Sequence, residues 1–204
     1  ASKLYKENNI ITIEDLIRVF KVNPKIINQK QAIGLLNFED LQKRIPRSEM
    51  NIWNEMLKEV FVETTNRLGI KGIFQLSGSY RRNKPDSGDI DVLISTDQYH
   101  SNLMTEYYND LVKSNIIQPK NTISKGNVKV MAIASIDETF RHLDIFYYGK
   151  GVYPFALLFT TGSKDFNTNM RKHALSLGYS LSERNLTHKS PTGPVVTNEE
   201  YIKK

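Results

Sequence analysis

Apolar residues recur at two spacings along this chain, and the change from one to the other predicts its helices and strands. Helical spacing follows Thr12, where Asp15 completes a capping box, and fills a long segment that Ser48 is expected to cap and Gly69 to end. Further helices are predicted at residues 24–36, 103–112, 153–160, 164–177 and from Asn198, which Thr197 would cap. Alternating or continuous apolar runs predict strands at residues 73–76, 89–95, 128–133, 142–148, 179–181 and 186–188.

The order of these segments predicts an α+β fold with three units. Helices fill residues 1–47, and residues 48–149 combine the long helix and the helix at 103–112 with the strands of a mixed β-sheet. The glycines in 149–151 mark a turn, after which residues 150–204 form a small helix-and-strand unit with a loop at 191–194.

Composition excludes several classes of protein. The 204 residues include no cysteine, so the chain has no disulfide, thiolate metal site or thiol nucleophile. No signal peptide is visible, and no apolar run approaches the length of a membrane span, so we expect no membrane partner.

The net charge of +6 is unevenly distributed along the chain. Residues 1–47 and 150–204 each carry +4, whereas residues 48–149 carry −2. An acidic centre between basic flanks is typical of proteins that hold nucleic-acid phosphates around a catalytic site. An ordinary basic surface is the alternative, and charge alone does not exclude it.

A motif in the central unit carries the most chemistry. Asp89 and Asp91 stand two residues apart in an apolar, β-branched run, so a strand would direct both carboxylates to one face. Like charges so close favour a cation between them, and Mg²⁺ prefers carboxylate oxygens. Upstream, the turn at Gly78–Ser79 and the arginines at 81 and 82 offer backbone N–H groups and positive charge to a polyphosphate.

A third carboxylate strengthens this interpretation. Asp144 interrupts the apolar run of a second predicted strand, where an unpaired carboxylate would be costly to bury. Taken singly, each acidic residue could simply face water at the surface or on an edge strand. The spacing from Gly78–Ser79 to Asp89 and Asp91 favours nucleotidyl transfer. Asp144 would be the third metal ligand.

Three further blocks resemble the family X DNA polymerases, a branch of the nucleotidyltransferase superfamily. These blocks are GLLNFEDL at 34–41, KRIPRSEM at 43–50 and FTTGSKDFNTNMR at 159–171. The resemblance implies a palm with a mixed β-sheet, preceded by a helical DNA-binding subdomain (1–47) and followed by a subdomain that binds the nascent base pair (150–204). Residues 1–10 resemble the second helix of a helix-hairpin-helix, which implies a fragment or a form that lacks the family's N-terminal lyase domain.

The same resemblance implies an activity and its partners. It implies template-directed DNA polymerisation, with short-gap filling in DNA repair such as base excision repair. The expected partners are gapped or primer-template DNA and deoxynucleoside triphosphates, and the expected cofactor is a pair of Mg²⁺ ions, with Mn²⁺ as an alternative. The implied protein is an intracellular monomer that works at DNA, in the nucleus or at a viral replication site.

Site residues also follow from the resemblance. Asp89 and Asp91 would bind both metal ions, and Asp144 would bind the ion that activates the primer 3′-hydroxyl. The positions that match nucleotide-binding residues are Arg44, Ser79, Arg82, Gly88, Phe159, Gly162 and Asn167. The positions that match or could make DNA contacts are Arg171, Arg141, His142 and Lys164. The family has a cis peptide at the position of Gly162–Ser163, while Thr160 replaces a common aromatic residue and Lys164 an Asp or Ala.

Two other functions compete with this one. The first is a template-independent or other nucleotidyltransferase, and the second is a DNA-end-binding module with a relic site. The block at 159–171 argues against the first, and the intact set of three carboxylates argues against the second.

Overall fold

The computed structural model describes residues 10–190 and the backbone of residues 195–196, and it opens with short helices. Helix α1 covers Ile13–Val22, a 3₁₀ turn covers Pro24–Ile26, and helices α2 and α3 cover Gln29–Leu36 and Phe38–Gln42. The predicted capping box is confirmed: the Thr12 hydroxyl accepts from the Asp15 N–H at 3.1 Å, and the Asp15 carboxylate accepts from the Thr12 N–H at 3.2 Å.

The prediction of one helix over residues 24–36 was wrong. The Asn23 side chain accepts a hydrogen bond from the Lys25 N–H, and Asn28 forms its own capping box with Gln31. Asparagine side chains compete with the helical ladder for backbone donors, so the segment divides into a turn and a new helix.

Helix α4, Arg47–Leu68, supplies much of the core. Strands β1 (Ile45–Pro46) and β3 (Asp86–Ser87) form an antiparallel bridge, so the helix begins at Arg47, and the prediction that Ser48 caps it was wrong. Gly69 ends the helix in the left-handed conformation, with φ of 67°, as predicted.

The apolar face of α4 packs against helix α6, Leu103–Lys113. Trp53 and Leu57 are fully buried, and the Phe61 ring meets the Tyr107 ring edge-on at 5.5 Å between centroids. Ile52, which the spacing assigned to the same face, is instead 53% exposed. Trp53 is therefore a core residue, as predicted.

A five-stranded mixed sheet lies next to this helix pair. Its strands are β2 (Gly72–Leu76), β4 (Ile90–Thr96), β5 (Ile117–Lys125), β6 (Lys129–Ile136) and β7 (Thr139–Gly149). The strand order is β2-β4-β7-β6-β5, and β4 and β7 run parallel while the other neighbours are antiparallel. The predicted α+β fold with a mixed sheet is confirmed.

Strand β5 is a feature that sequence reasoning missed. It contains Pro119, its burial does not alternate, and its pairing with β6 shifts register twice. Proline is tolerated at the edge of a sheet, where one side of the strand has no backbone partner. Most residues of this edge strand are polar, so no apolar pattern predicted it.

The last unit packs two helices beside a small antiparallel sheet. Its elements are helices α7 (Tyr153–Thr161) and α8 (Lys164–Ser176), and strands β8 (Tyr179–Leu181), β9 (Leu186–His188) and β10 (Val195–Val196). The predicted loop at 191–194, the helix from Asn198 and the partial helix-hairpin-helix at residues 1–9 lie outside the described residues. In the described part of the chain, every helix is too short or too polar to cross a bilayer.

Candidate active site

Strands β4 and β7 bring two of the predicted carboxylates together. Asp91 and Asp144 are direct partners in the parallel pairing, so their side chains stand side by side on one face of the sheet. Their apolar neighbours Val92, Leu143 and Ile145 are buried on the opposite face. Asp89 lies one residue before β4 and is exposed, so the prediction that it sits within the strand was wrong.

The turn that precedes β4 approaches Asp91 closely. Helix α5, Gly78–Arg81, begins with Gly78 at φ of +53°, and the Ser77 N–H donates to the Asp91 carbonyl at 2.8 Å. A Cβ added at Gly78 would lie 2.2 Å from Asp91 Oδ2. Glycine is required here both by the backbone conformation and by the carboxylate above it.

The electrostatic environment of Asp91 differs from that of a surface carboxylate. Burial, together with the charges of Asp89 and Asp144, raises the pKa of Asp91 from 3.8 to about 7, although Lys129 and Arg82 act in the opposite direction. The excess negative charge creates a site that favours a cation.

Asp144 is engaged by a lysine from the neighbouring strand. The Nζ of Lys129, on β6, lies 2.8 Å from Asp144 Oδ2. Among residues 10–190, no group of three His, Asp or Glu side chains is arranged to hold a metal ion. The donor set still fits Mg²⁺ or Mn²⁺ in its chemistry, because Asp91 and Asp144 are adjacent carboxylates on two neighbouring strands and Asp89 adds a third negative charge beside Asp91.

A cleft of about 410 Å³ opens beside Asp89 and Asp91, between the sheet and helices α7 and α8. It contains ten of the predicted site residues: Arg44, Ser79, Arg82, Gly88, Asp89, Asp91, Phe159, Gly162, Lys164 and Asn167. Gly78, Thr160 and Ser163 complete its lining. The fold thus gathers residues separated by more than 120 positions in the sequence into one cavity of the right polarity for a polyphosphate.

Both arginines of this cleft have partners within the chain. The Arg44 guanidinium bonds the Asp86 carboxylate through Nε at 3.0 Å and Nη2 at 2.5 Å, and it lies over Gly88. Arg82 donates to the Thr161 carbonyl. These bonds fix both cationic groups in the lining of the cleft.

Helices α7 and α8 bring three of the predicted residues, Phe159, Asn167 and Arg171, into contact. The Asn167 side-chain amide donates to the Phe159 carbonyl at 2.8 Å, and the Arg171 guanidinium lies 5.3 Å from the centre of the Phe159 ring. The turn between the helices contains the Gly162–Ser163 cis peptide that the resemblance implied. Asn167 and Arg171 therefore share Phe159 as their support.

Arg141 occupies a different environment from the one predicted. Its side chain is only 6% exposed, its Nε and Nη2 donate to the Glu49 carboxylate at 2.8 and 2.9 Å, and its Nη1 donates to the Asp40 carbonyl at 3.0 Å. A guanidinium with these donors occupied inside the protein does not fit the predicted contact with DNA. His142 is half-buried, on the same strand as Asp144.

Sequence reasoning missed two contributors to this site. The Ser77 hydroxyl donates to Thr160 at 2.8 Å, and both side chains are buried, so this bond fixes α7 against the Gly78 turn. Lys129 was predicted only as part of a strand. In the structure, the pairing of β6 with β7 puts Lys129 and Asp144 on the same face of the sheet. The sequence does not show which strands pair, so this contact could not be predicted from it.

Comparison with protein families gives two matches. Residues 44–150 match the family described as DNA polymerase beta palm, and residues 156–202 match the one described as DNA polymerase beta thumb. The first match covers the sheet, the three carboxylates and the Gly78 turn. The second covers Phe159, Asn167 and Arg171.

Individual relatives agree with these matches. The chain is 29% identical to DNA polymerase lambda of Arabidopsis thaliana over 93% of its own length and 37% of the relative's, and 30% identical to that of Rattus norvegicus over 87% and 31%. It thus spans about a third of these relatives. Two structures of Leishmania infantum polymerase beta, a ternary gap complex and a ternary P/T complex, superpose with a TM-score of 0.84 at 26% identity, over 94% of the chain and 66% and 74% of theirs. The chain belongs to the family X DNA polymerases and contains the palm and thumb of the polymerase beta type.

Proposed function

We propose that this chain catalyses the template-directed addition of deoxynucleotides to a primer 3′-hydroxyl, and that its substrate is short-gapped DNA. The observation that carries the proposal is the pairing of Asp91 with Asp144 beside a cleft that also presents Arg44, Arg82 and Asn167. The gap complex of the Leishmania polymerase supports the choice of DNA.

Asp89, Asp91 and Asp144 would hold two Mg²⁺ ions, or Mn²⁺ in their place. When bound, the pair supplies Lewis-acid activation of the attacking oxygen and stabilisation of the leaving one. The chain itself orients the carboxylates: the sheet fixes Asp91 beside Asp144, and Gly78 leaves room for the Asp91 side chain.

Arg44, Arg82, Ser79 and Gly88 would bind the triphosphate. Phosphoryl transfer depends mainly on alignment and neutralisation of charge, and two guanidinium groups at the cleft can provide both. The Ser79 hydroxyl, which donates to Ser87 at 2.8 Å, adds a polar group at the same wall.

Phe159, Gly162 and Asn167 would contact the incoming nucleotide, while Arg171 would contact the template strand. We assign residues 1–47 to DNA binding, residues 48–149 to catalysis and residues 150–204 to recognition of the nascent pair. Lys164 lines the cleft and could reach a phosphate, and half-buried His142 could contact the primer.

Primer extension on a one-nucleotide gap tests this proposal. Replacing Asp144 with Ala should reduce the rate by about 10³-fold or more, because a metal ligand is lost, while folding is retained. Asp97→Ala is the matched control, since Asp97 is an exposed carboxylate paired with Lys150 near the far end of β4. Extension by Asp144→Ala at the rate of the control would overturn the proposal.

The same assay without a template strand separates polymerisation from template-independent transfer. We expect addition to be at least about tenfold faster with a template, because we assign Asn167 to the incoming nucleotide and Arg171 to the template strand. Equal rates with and without template would favour a terminal transferase. DNA binding without nucleotide addition under either condition would favour an end-binding module.

A further inference from the structure

The ion pair between Lys129 and Asp144 has no part in the function proposed above. Lys129 is 38% exposed and Asp144 is 24% exposed, with 2.8 Å between Nζ and Oδ2. One oxygen of a carboxylate that we assign to metal binding is therefore already in contact with a cation that belongs to the chain.

The sheet determines this contact. Lys129 pairs directly with Phe146 across β6 and β7, while Asp144 pairs with Met131, so Lys129 is the diagonal neighbour of Asp144. A side chain as long as lysine reaches a diagonal neighbour on the same face. The pairing fixes the reach of the ammonium group, because the two strands cannot slip without exposing Val130 and Ile145, which are buried.

Phe146 gives the ammonium group a second contact. Lys129 Nζ lies 4.6 Å from the centre of the Phe146 ring, within the range of a cation–π interaction. The lysine can therefore leave Asp144 and stay next to the strand, held by the ring. Exchange between the carboxylate and the ring face needs only side-chain rotation.

We propose that Lys129 is a positioning residue that competes with a divalent cation for Asp144 and so sets the metal concentration at which the site fills. The inference rests on the proposed metal-binding role of Asp89, Asp91 and Asp144. A hard divalent ion would take the carboxylate from the ammonium because its charge is doubled and it approaches the oxygen more closely.

The experiment measures Mn²⁺ binding to the full chain, without DNA or nucleotide, by electron paramagnetic resonance of the free ion. Lys129→Met should bind Mn²⁺ about two- to fivefold more tightly than the unsubstituted chain, the range expected for loss of one partly exposed ion pair. Lys129→Gln serves as a second variant with a polar side chain, and Lys129→Arg should keep the original affinity.

Lys125→Met is the matched control. Lys125 lies on the adjacent strand β5, its Nζ is 4.1 Å from the centre of the Tyr108 ring, and its removal changes the net charge by the same amount. Its affinity for Mn²⁺ should stay within about 1.5-fold of the original, because the charge lies away from the carboxylates. If the Lys125 and Lys129 variants gain the same affinity for Mn²⁺, the change in net charge explains the effect and the inference is overturned.

Asp144→Ala separates this inference from the proposed function. If Asp144 binds the metal, Asp144→Ala should weaken Mn²⁺ binding and should abolish the gain from Lys129→Met in the double variant. An unchanged affinity in Asp144→Ala would overturn the proposed metal site. If Asp144→Ala binds Mn²⁺ more weakly but neither Lys129→Met nor Lys129→Gln binds it more tightly, the proposed competition is overturned and the proposed metal site is not.

Discussion

Gly78 shows how a single missing side chain can determine a catalytic geometry. Its φ of +53° is strained for any residue with a Cβ, and Asp91 Oδ2 occupies the space where that Cβ would lie. The two effects can be separated, because Gly69 has a similar φ of +67° but no atom within 4 Å of its Cβ position. The pair therefore allows strain and contact to be measured independently.

We expect Gly78→Ala to lose more stability than Gly69→Ala and to lose activity as well. The left-handed conformation alone costs about 1–2 kcal/mol for alanine, and at Gly78 the displacement of Asp91 adds to it. Urea unfolding gives the free energies, and gap filling gives the rates. The idea fails if Gly78→Ala fills gaps at the rate of Gly69→Ala.

Arg171 offers a prediction about fidelity. It lies against the Phe159 ring, its Nη2 is 3.9 Å from the Glu183 carboxylate, and its side chain is 43% exposed, so the guanidinium is accessible to a template strand. The minor groove presents acceptors at similar positions in every correct pair, so a contact there tests the shape of the pair. Arg171→Ala should reduce kcat/KM for matched nucleotides more than for mismatched ones.

Arg184→Ala is the control for this measurement. Arg184 belongs to the same unit, is 59% exposed and lies 5.8 Å from the centre of the Tyr148 ring. Its matched-to-mismatched ratio should stay unchanged. If Arg171→Ala also keeps the ratio, with rates near those of the unsubstituted chain, template recognition by Arg171 is excluded.

At the level of elements, Arg141 joins three segments of the fold. It connects β7 to α4 through Glu49 and to α3 through the Asp40 carbonyl. Removing one partner leaves the other charge partly buried, so Arg141→Met should destabilise the chain by about 2–4 kcal/mol. Chemical denaturation measures this loss, and a stable Arg141→Met variant with weakened DNA binding would instead restore the predicted DNA contact.

The same ion pair predicts a pH dependence of stability. Hydrogen bonds from Arg141, and from Trp53, hold the pKa of Glu49 below its ordinary value of 4.5 despite partial burial. Since the folded-state pKa lies below the unfolded one, the contribution is full above about pH 5 and is lost as the pH falls through the folded-state value. Glu49→Gln should therefore have a lower free energy of unfolding at pH 7, and this free energy should fall less steeply with pH below pH 5.

Glu59→Gln is the control, because Glu59 is an exposed residue of the same helix. Unfolding free energies at pH 7, 5 and 4 compare the two variants. If the free energy of unfolding of Glu49→Gln falls between pH 7 and pH 4 as steeply as that of Glu59→Gln, the ion pair between Glu49 and Arg141 does not contribute to the loss of stability in acid.

The sequence predicted the elements that carry a clear apolar pattern, and it could not predict what depends on pairing. Strands β4 and β7 stood out because Val92, Ile94 and Leu143 need a core. Their parallel register, which aligns Asp91 with Asp144, depends on the packing of the whole sheet. Arg141 was predicted to contact DNA, because the sequence does not show that it pairs with Glu49, which is 92 residues away.

At the scale of the whole molecule, charge is separated along the chain. Residues 1–47 and 150–204 carry +4 each, and residues 48–149 carry −2. We expect affinity for gapped DNA to fall steeply as salt rises, because each neutralised phosphate releases counterions. A salt titration by fluorescence anisotropy tests this, and an affinity independent of salt between 50 and 200 mM would contradict it.

The internal partners of the two cleft arginines also bear on which ligand the chain selects. Arg44 is bonded to Asp86 through Nε and Nη2, and Arg82 to the Thr161 carbonyl through Nη1, so each guanidinium is held in place while other N–H donors remain for a phosphate. A ligand long enough to engage both arginines would use the remaining donors of two fixed groups, whereas a shorter one would use those of a single group. We therefore expect a preference for a triphosphate over a diphosphate. Asp86→Ala removes the carboxylate that holds Arg44 and leaves its Nη2 only the 3.3 Å bond to the backbone carbonyl of residue 86. This substitution should narrow the ratio of the two Kd values measured by calorimetry. A ratio that stays the same would place the selectivity elsewhere.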